Sequence, residues 1–297
     1  MRGDTLPPLV AQEPARIAAP SVAGHRPWLA AATLCQREWV RFVRQPNRVF
    51  GAIGQPIIFW LLFGAGLGPS FRLAGDAAGL VTYREYFFPG SLILILLFTA
   101  IFATISVIED RREGFLQSVL VAPIPRWSMV LGKVAGGSLI AMVEGLVFLA
   151  LGLTLGIPFT LPMLMLVVLL LALVSLALTS LGFVIAWRLD STQGFHAIMS
   201  VFLMPMWLLS GAFFPPPPLG AATNLIERAL ALVIALNPLT YSVAALRRLI
   251  YWNVADAPLP PETPQLAVCW IVTALFAAAM FVLACKISAG RTTGDLQ

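Results

Sequence analysis

The segment EDRREGFLQSVLVAPIPRWSMVLGK, residues 109–133, decides how this chain is organised, because it is charged and lies between two long apolar runs. Residues 111–121 have the spacing of one short amphipathic helix. Four apolar side chains share one face of that helix: Phe115, Leu116, Val119 and Leu120. Pro123 ends it, because proline lacks the amide hydrogen that a helix interior needs. We therefore expect a compact rod across the ends of the two apolar runs, since a plain loop would not need a hydrophobic face. The rod is either a contact for something outside the membrane or an interfacial helix that rests on lipid head groups.

Composition places the chain in a membrane. Hydrophobic residues make up 59% of it and charged residues 11%, and the mean hydropathy is +0.88. An ordinary soluble domain carries about 25% charged residues. The net charge of +5 could indicate nucleic acid, but the cations lie at the ends of the apolar runs and form no basic stripe with interleaved aromatics. A polytopic membrane protein that binds no nucleic acid explains them better.

Six apolar runs reach the roughly 20 helical residues that a bilayer core of about 30 Å requires. They cover residues 49–67, 86–108, 130–157, 161–187, 195–214 and 265–285. Six spans put both termini on one side, and lysines and arginines favour the cytoplasm. With both termini inside, 14 of the 19 Lys and Arg residues lie on inner segments. This topology predicts that residues 109–133 face the cytoplasm.

The N-terminal region is predicted to lie on the membrane surface. Residues 28–43 form an amphipathic pattern in which Arg37, Arg41 and Arg44 oppose an apolar side. Such a helix lies flat, with its arginines toward water or anionic lipid. We expect residues 1–26 to be a disordered cytoplasmic tail, 27–288 a single transmembrane domain, and 289–297 a short cytoplasmic tail.

The longest predicted segment on the outer side of the membrane lies before the last span. Four consecutive prolines, residues 215–218, predict a stiff extended spacer. Two apolar half-helices, residues 225–236 and 239–252, then meet at Asn237 and Pro238. Each half is too short to span a bilayer, which favours a re-entrant or interfacial hairpin.

Few polar side chains lie inside the apolar runs. Glu144 falls near the middle of its span, where it either faces a pathway through the membrane or hydrogen-bonds a serine or threonine of a neighbouring helix. His196 is a candidate for either a path or an interface. Trp207 and Phe213 are candidates for a cargo surface, for a lipid belt or for packing.

The sequence contains no phosphate-binding loop of the kind that binds nucleotides. Its only Gly-Lys pair, Gly132 and Lys133, has Trp127 where a phosphate-binding loop needs glycine and Val134 where it needs a hydroxyl. No cluster of catalytic side chains is evident in the spans. We therefore expect a protein that is not an enzyme and that takes its energy from elsewhere.

Three stretches carry a family resemblance. They are the Glu-Gly, Ala-Pro-Ile-Pro-Arg and Gly-Lys pattern of residues 109–133, SGAFFPPPPL at 210–219, and NPLTYSVAALRRLIY at 237–251. Together they resemble the permease subunits of type 2 ATP-binding cassette (ABC) exporters, a group that includes drug-efflux, nodulation-factor and polysaccharide exporters. The resemblance covers residues 35–288.

This resemblance implies an all-α integral membrane fold with six transmembrane helices. An interfacial N-terminal helix, a cytoplasmic coupling helix and an outer re-entrant hairpin complete it. It implies a bacterial inner membrane, a separate ABC ATPase subunit in two copies that binds ATP, and a second permease copy as a homo- or heterodimer. Membrane lipids are further partners, and this chain itself holds no cofactor or metal. The cargo would be amphipathic, lipid-linked or drug-like.

The resemblance also implies which residues contact the ATPase. The coupling set is Glu109, Glu113, Gly114, Phe115, Leu116, Val119, Leu120, Pro123 and Arg126. Its polar members would make polar contacts, and its apolar members would fill a groove of the ATPase. A second contact would come from Arg37, Arg41 and Arg44. Two alternatives remain: an ion-gradient transporter, and a membrane-embedded enzyme of lipid or glycan synthesis.

Overall fold

The computed structural model describes residues 26–73, 81–216, 224–252, 254, 259–260 and 263–290. All regular secondary structure in these ranges is helical. The expectations for the N-terminal tail up to residue 25, for residues 217–218 of the proline run and for residues 291–297 lie outside the described ranges. One apolar core, which reaches from Leu34 to Ala284, joins the helices.

Twelve α-helices follow one another along the described chain. They are α1 Pro27–Val43, α2 Pro46–Gly66, α3 Tyr83–Ala103, α4 Ile105–Arg112, α5 Phe115–Val121, α6 Arg126–Leu149, α7 Leu161–Trp187, α8 Thr192–Ile198, α9 Met204–Trp207, α10 Leu225–Leu236, α11 Pro238–Ile250 and α12 Leu266–Ala289. Short 3-10 turns follow α2 and α6, and π-helical turns precede and follow α9.

Five of the described helical segments are long and apolar enough to cross a membrane. They are Tyr83–Arg112, Arg126–Leu155, Leu161–Trp187, Thr192–Ala212 and Leu266–Ala289. The bent pair α10 and α11 would add a sixth if it counted as one span. The predicted span at residues 49–67 corresponds to α2, whose described apolar stretch, Gly54–Gly66, is shorter than a crossing. The all-helical membrane class is confirmed, and the span in α2 stays a prediction.

Helix α3 is the centre of the bundle. Every residue from 86 to 97 is buried, and the helix packs against α2, α6, α7 and α11. A helix that is apolar all round is expected in such a position. It starts three residues before the predicted boundary because Thr82 and Glu85 form a capping box, in which the Thr82 amide donates to Glu85 Oε2 at 2.7 Å.

The predicted single rod at residues 111–121 is wrong. Helix α4 continues from α3 and ends at Arg112, and α5 starts only at Phe115. Gly114 lies between them with φ of +77°, a left-handed conformation that glycine adopts without a steric penalty. Two short rods therefore meet at a glycine. The end of α5 before Pro123 agrees with the prediction.

The bundle has two distinct ends, named here by their helices. The α5 end holds α1, α4, α5 and the start of α6. The hairpin end holds the start of α3, the Gly211 kink and the pair α10 and α11, whose axes differ by 71°. Asn237 joins that pair, because its side chain accepts from the Leu239 amide at 3.0 Å and donates to the Met206 carbonyl at 2.5 Å.

Candidate functional site

Helix α1 lies unusually close to α6, because two glycines of α6 face it. A Cβ atom on Gly132 would stand 2.6 Å from the Ala31 carbonyl oxygen, and one on Gly136 would stand 2.7 Å from Glu38 Cβ. Any larger residue would push the two helices apart. The close contact brings Glu38 beside α6.

Three faces of α1 have different surroundings. The buried face consists of Ala31, Leu34 and Glu38. The predicted apolar side is a different one, and Trp28 on it is largely exposed. The arginines that we predicted to face water or lipid flank the buried face, and two of them turn toward α4.

A buried lysine lies at the centre of this contact. Lys133 Nζ donates to Glu38 Oε1 at 2.5 Å and also to Asp110 Oδ2. The three side chains are 3%, 5% and 0% exposed, in the order Lys133, Glu38 and Asp110. Buried charges of this kind persist only when they are paired and hydrogen-bonded. The pairing therefore fixes α1, α4 and α6 relative to one another.

Two arginines of α1 complete the cluster. Arg37 donates to both Asp110 oxygens, at 2.9 and 2.7 Å. Arg41 donates to Asp110 Oδ1 at 3.1 Å and to Glu109 Oε2 at 2.6 Å. The hydrogen bonds to Asp110 raise the pKa of the Arg37 guanidinium above its ordinary value, so it stays charged at physiological pH. We call these six residues the charge network: Glu38, Glu109, Asp110, Arg37, Arg41 and Lys133.

The next two residues of α4 bind a different neighbour. Arg111 donates to the Trp187 carbonyl at 2.8 Å and to Asp190 Oδ1 at 3.1 Å. Arg112 donates to the Asp190 carbonyl at 2.7 Å. Since successive helical residues point about 100° apart, four consecutive side chains reach α1, α6 and the end of α7. We call residues 109–112 the EDRR junction.

Helix α5 turns its apolar face toward this junction. Leu116 is only 3% exposed and belongs to the core, and Phe115, Val119 and Leu120 pack against it. The Arg37 guanidinium carbon lies 3.8 Å from the Phe115 ring centroid, a cation–π contact. The prediction that this face fills a partner's groove is wrong for Leu116, which is inside this subunit, and stays a prediction for the half-buried Phe115, Val119 and Leu120.

The opposite side of α5 is exposed. Gln117, Ser118 and Val121 share it, and Val121 is 83% exposed. We call these three residues the α5 exposed face. Of the other predicted coupling residues, Glu113 and Pro123 are exposed, and Arg126, half-buried, begins α6. Glu113 also lines an open groove together with Arg44, the residue that follows α1.

A cavity of about 510 Å³ lies beside the EDRR junction. Its lining includes Gln55, Phe98, Thr99, Phe102, Glu109 and His196. The Thr99 hydroxyl donates to the carboxylate of Glu144, which is buried behind it. This bond corresponds to the threonine alternative predicted for Glu144. The His196 ring packs 5.5 Å from the Phe102 ring, between centroids.

The structure does not bring Trp207 and Phe213 to this cavity. Trp207 is buried at the hairpin end, where its Nε1 donates to the Gly90 carbonyl at 2.9 Å. Phe213 packs edge-on against Phe63, with 5.1 Å between the ring centroids. Both side chains take part in aromatic packing inside the subunit.

Sequence reasoning missed the centre of the charge network. Asp110 was not singled out although its neighbour Glu109 was, and Glu38 is one acid on a helix that carries Arg37 and Arg41. A signal did exist, because Asp110 and Lys133 lie at facing ends of consecutive apolar runs. Ionisable residues in such positions are usually paired with one another.

These features define a helical membrane protein in which a short helix, α5, projects from one end beside the charge network. Residues 30–251 match the ABC-2 type transporter family. The match covers well over half of the chain, which therefore belongs to this family and is a membrane permease of an ABC transporter.

Three curated relatives are similar to this chain over part or most of its length, and two of them carry transport names. "Nodulation protein J" of Rhizobium leguminosarum bv. viciae is 27% identical over 76% of this chain and 82% of its own length. "Inner membrane transport permease YadH" of Escherichia coli is 23% identical over 79% of this chain and 88% of its own length. "Probable multidrug ABC transporter permease YbhR" of the same species is 28% identical over 45% of this chain and 36% of its own length. YadH and YbhR are named as permeases, which agrees with a transport subunit that is not an enzyme.

Proposed function

We propose that this permease is the transmembrane subunit of an ATP-driven exporter and that the EDRR junction transmits the movement of its ATPase to the spans. The observation that supports this proposal is that the charge network joins α1, α4 and α6 at the point where α5 projects. Family membership favours this function over the ion-gradient transporter and the membrane enzyme.

The proposed assembly contains two permease copies, identical or different, and two ATPase copies in a bacterial inner membrane. The α5 end and both termini face the cytoplasm, which agrees with the excess of Lys and Arg on that side. In this orientation the α5 exposed face is open to a cytoplasmic partner, and the hairpin end lies toward the outer side.

Force passes through the junction in a defined order. The ATPase contacts the α5 exposed face and moves α5 as a short rod. Phe115 carries the movement to Arg37, which is held by two hydrogen bonds to Asp110. Because Asp110 also binds Lys133, the displacement reaches α1, α4 and α6 together. Gly114 allows α5 to change its angle without breaking α4.

Cargo enters through the cavity beside the junction. Its volume of about 510 Å³ lies within the range of about 300–1,000 Å³ of small-molecule sites. Phe98 and Phe102 offer an apolar wall, while Gln55, Thr99 and His196 offer hydrogen-bonding groups. That combination suits an amphipathic molecule such as a drug-like or lipid-linked compound.

Photocrosslinking tests the proposed contact. A benzophenone amino acid at position 121 replaces the exposed Val121, and a matched probe at position 236 replaces Leu236, which is 74% exposed at the hairpin end. We expect an ATPase adduct from position 121 in native membranes and none from position 236. An adduct from neither position, or equal adducts from both, would contradict the proposed docking surface.

A further inference from the structure

Arg247 is a buried cation at the hairpin end. It belongs to α11 and is 2% exposed. Its Nη2 donates to the carbonyls of Tyr86 and Gly211, at 3.2 and 3.1 Å. Its guanidinium carbon stands 4.2 Å from the Tyr86 ring centroid. Its Nε is buried and makes no hydrogen bond within the described residues.

Arg247 differs from the buried charges of the charge network in its partners. Across the described ranges, Arg247 forms no ion pair with an acidic side chain, whereas each buried charge of the charge network does. Burying a cation without an anion is costly, and two carbonyl groups compensate only part of that cost. Among the residues that the structure describes, no carboxylate within ion-pair distance offsets this charge.

A cavity of about 160 Å³ adjoins the guanidinium, between α10, α11 and the Gly211 kink. No acidic residue is among its described lining. Its hydroxyl groups already donate to backbone carbonyls: Ser210 to Trp207, Thr240 to Ile234, Tyr241 to Ala235 and Thr263 to Pro260. Arg247 therefore supplies the positive charge of the described lining, and its Nε has no hydrogen-bond partner among the described residues.

We propose that this cavity binds one oxoanion group, a phosphate or a carboxylate, against the Arg247 guanidinium. Guanidinium groups bind such anions through short charge-assisted hydrogen bonds. The cavity volume is well below the roughly 300 Å³ of the smallest drug-sized sites, so it accepts a head group and excludes a whole amphiphile. The anion comes from a lipid head group or from the outer solution. The inference does not depend on the exporter proposal.

A purely structural role leaves part of the geometry unexplained. Arg247 does satisfy the Gly211 carbonyl at the kink, where the helix breaks with φ of +74°. However, the Tyr86 hydroxyl already donates to the same carbonyl at 2.7 Å. Among the described residues, Nη2 makes both carbonyl contacts, and Nε has no hydrogen-bond acceptor.

The test uses the full-length permease, purified with the subunits that copurify with it, in nanodiscs. Thermal unfolding is followed during a titration with inorganic phosphate in phosphatidylcholine, and again in phosphatidylcholine containing phosphatidylglycerol. We expect one of the two anions to raise the midpoint of the wild type. Arg247→Gln should weaken that response by about tenfold or more, while Arg72→Gln, which removes an exposed cation, should not.

Two outcomes support the site and identify its ligand: a response to phosphate indicates a free anion, and a response to phosphatidylglycerol alone indicates a lipid head group. Ala235→Leu fills the cavity and keeps Arg247, so it decides the matter if Arg247→Gln does not fold. We expect Ala235→Leu to lose the response as well. No response in the wild type, or an Ala235→Leu protein that responds like the wild type, overturns the site and leaves Arg247 as a cap of the kink.

Discussion

The two ends of the bundle hold their helices together by different chemistry. At the α5 end, three carboxylates and three cations from α1, α4 and α6 neutralise one another. At the hairpin end, backbone carbonyls around a kink accept hydrogen bonds from tyrosine hydroxyls, a tryptophan indole and Arg247. Aromatic rings also pack edge-on there.

The difference has a mechanical meaning. Ion pairs between side chains of different helices tie those helices to one another, so α1, α4 and the start of α6 move as a unit. Bonds to the carbonyls of a broken helix stabilise a bend instead, and the π-helical turns around α9 add to the irregularity. The α5 end is therefore suited to transmit a movement, and the hairpin end to change shape.

The largest expected effect comes from removing the central cation. Lys133→Met leaves the Glu38 and Asp110 carboxylates buried with only the arginines to compensate them. We expect a loss of about 3 kcal/mol in unfolding free energy, measured by denaturation in mild detergent. Arg72→Met, an exposed cation at the hairpin end, should change it by less than about 0.5 kcal/mol.

A double-mutant cycle sharpens this prediction. Adding Glu38→Gln to Lys133→Met removes one of the stranded charges, so the double variant should be more stable than the sum of the single changes predicts. Equal stability of Lys133→Met and Arg72→Met would show that the network is not what fixes the α5 end.

A smaller loss of stability is expected from a substitution where α1 meets α6. Gly132→Ala places a methyl group against the Ala31 carbonyl and forces the two helices apart, at a cost of about 1–3 kcal/mol. Gly54→Ala in α2 is the matched control, because no atom lies within 4 Å of the new methyl group. It should be neutral or slightly stabilising. Thermal unfolding of the two variants distinguishes them, and equal midpoints would contradict the close contact.

The smallest expected loss of stability comes from replacing either of two glycines, and the two variants should differ in their effect on transport. Gly114 and Gly156 both have positive φ, of +77° and +68°, and open space around them. Alanine at either position should therefore cost a similar strain, about 1–2 kcal/mol. Only Gly114→Ala stiffens the angle between α4 and α5, so only that variant should lower transport per ATP hydrolysed in proteoliposomes. Equal losses of coupling in both variants would rule out a hinge at Gly114.

The sequence predicts the helices better than it predicts their contacts. Hydropathy places α7 at its observed bounds, and Pro123 correctly marks the end of α5, because both signals are local. The break at Gly114 was missed, since the amphipathic pattern runs through it without interruption.

Pairing between distant residues is not written in a local pattern. Glu38 and Lys133 are 95 positions apart and meet because Gly132 and Gly136 admit α1. The inward turn of Leu116 likewise depends on the tertiary packing of α5. Periodicity identified the apolar face of α5 but could not distinguish this subunit's core from a partner's groove.

The most direct test of the central claim compares two acids of the junction region in proteoliposomes that contain the permease and its ATPase. Asp110→Asn weakens the tie to Arg37 and Lys133, whereas Asp190→Asn alters a side chain that is 92% exposed and pairs with Arg111 alone among the described residues. We predict that the Asp110→Asn complex still assembles and hydrolyses ATP but transports at least about tenfold less cargo per ATP, while Asp190→Asn couples like the wild type. An assembled Asp110→Asn complex with unchanged transport per ATP would contradict force transmission through the EDRR junction.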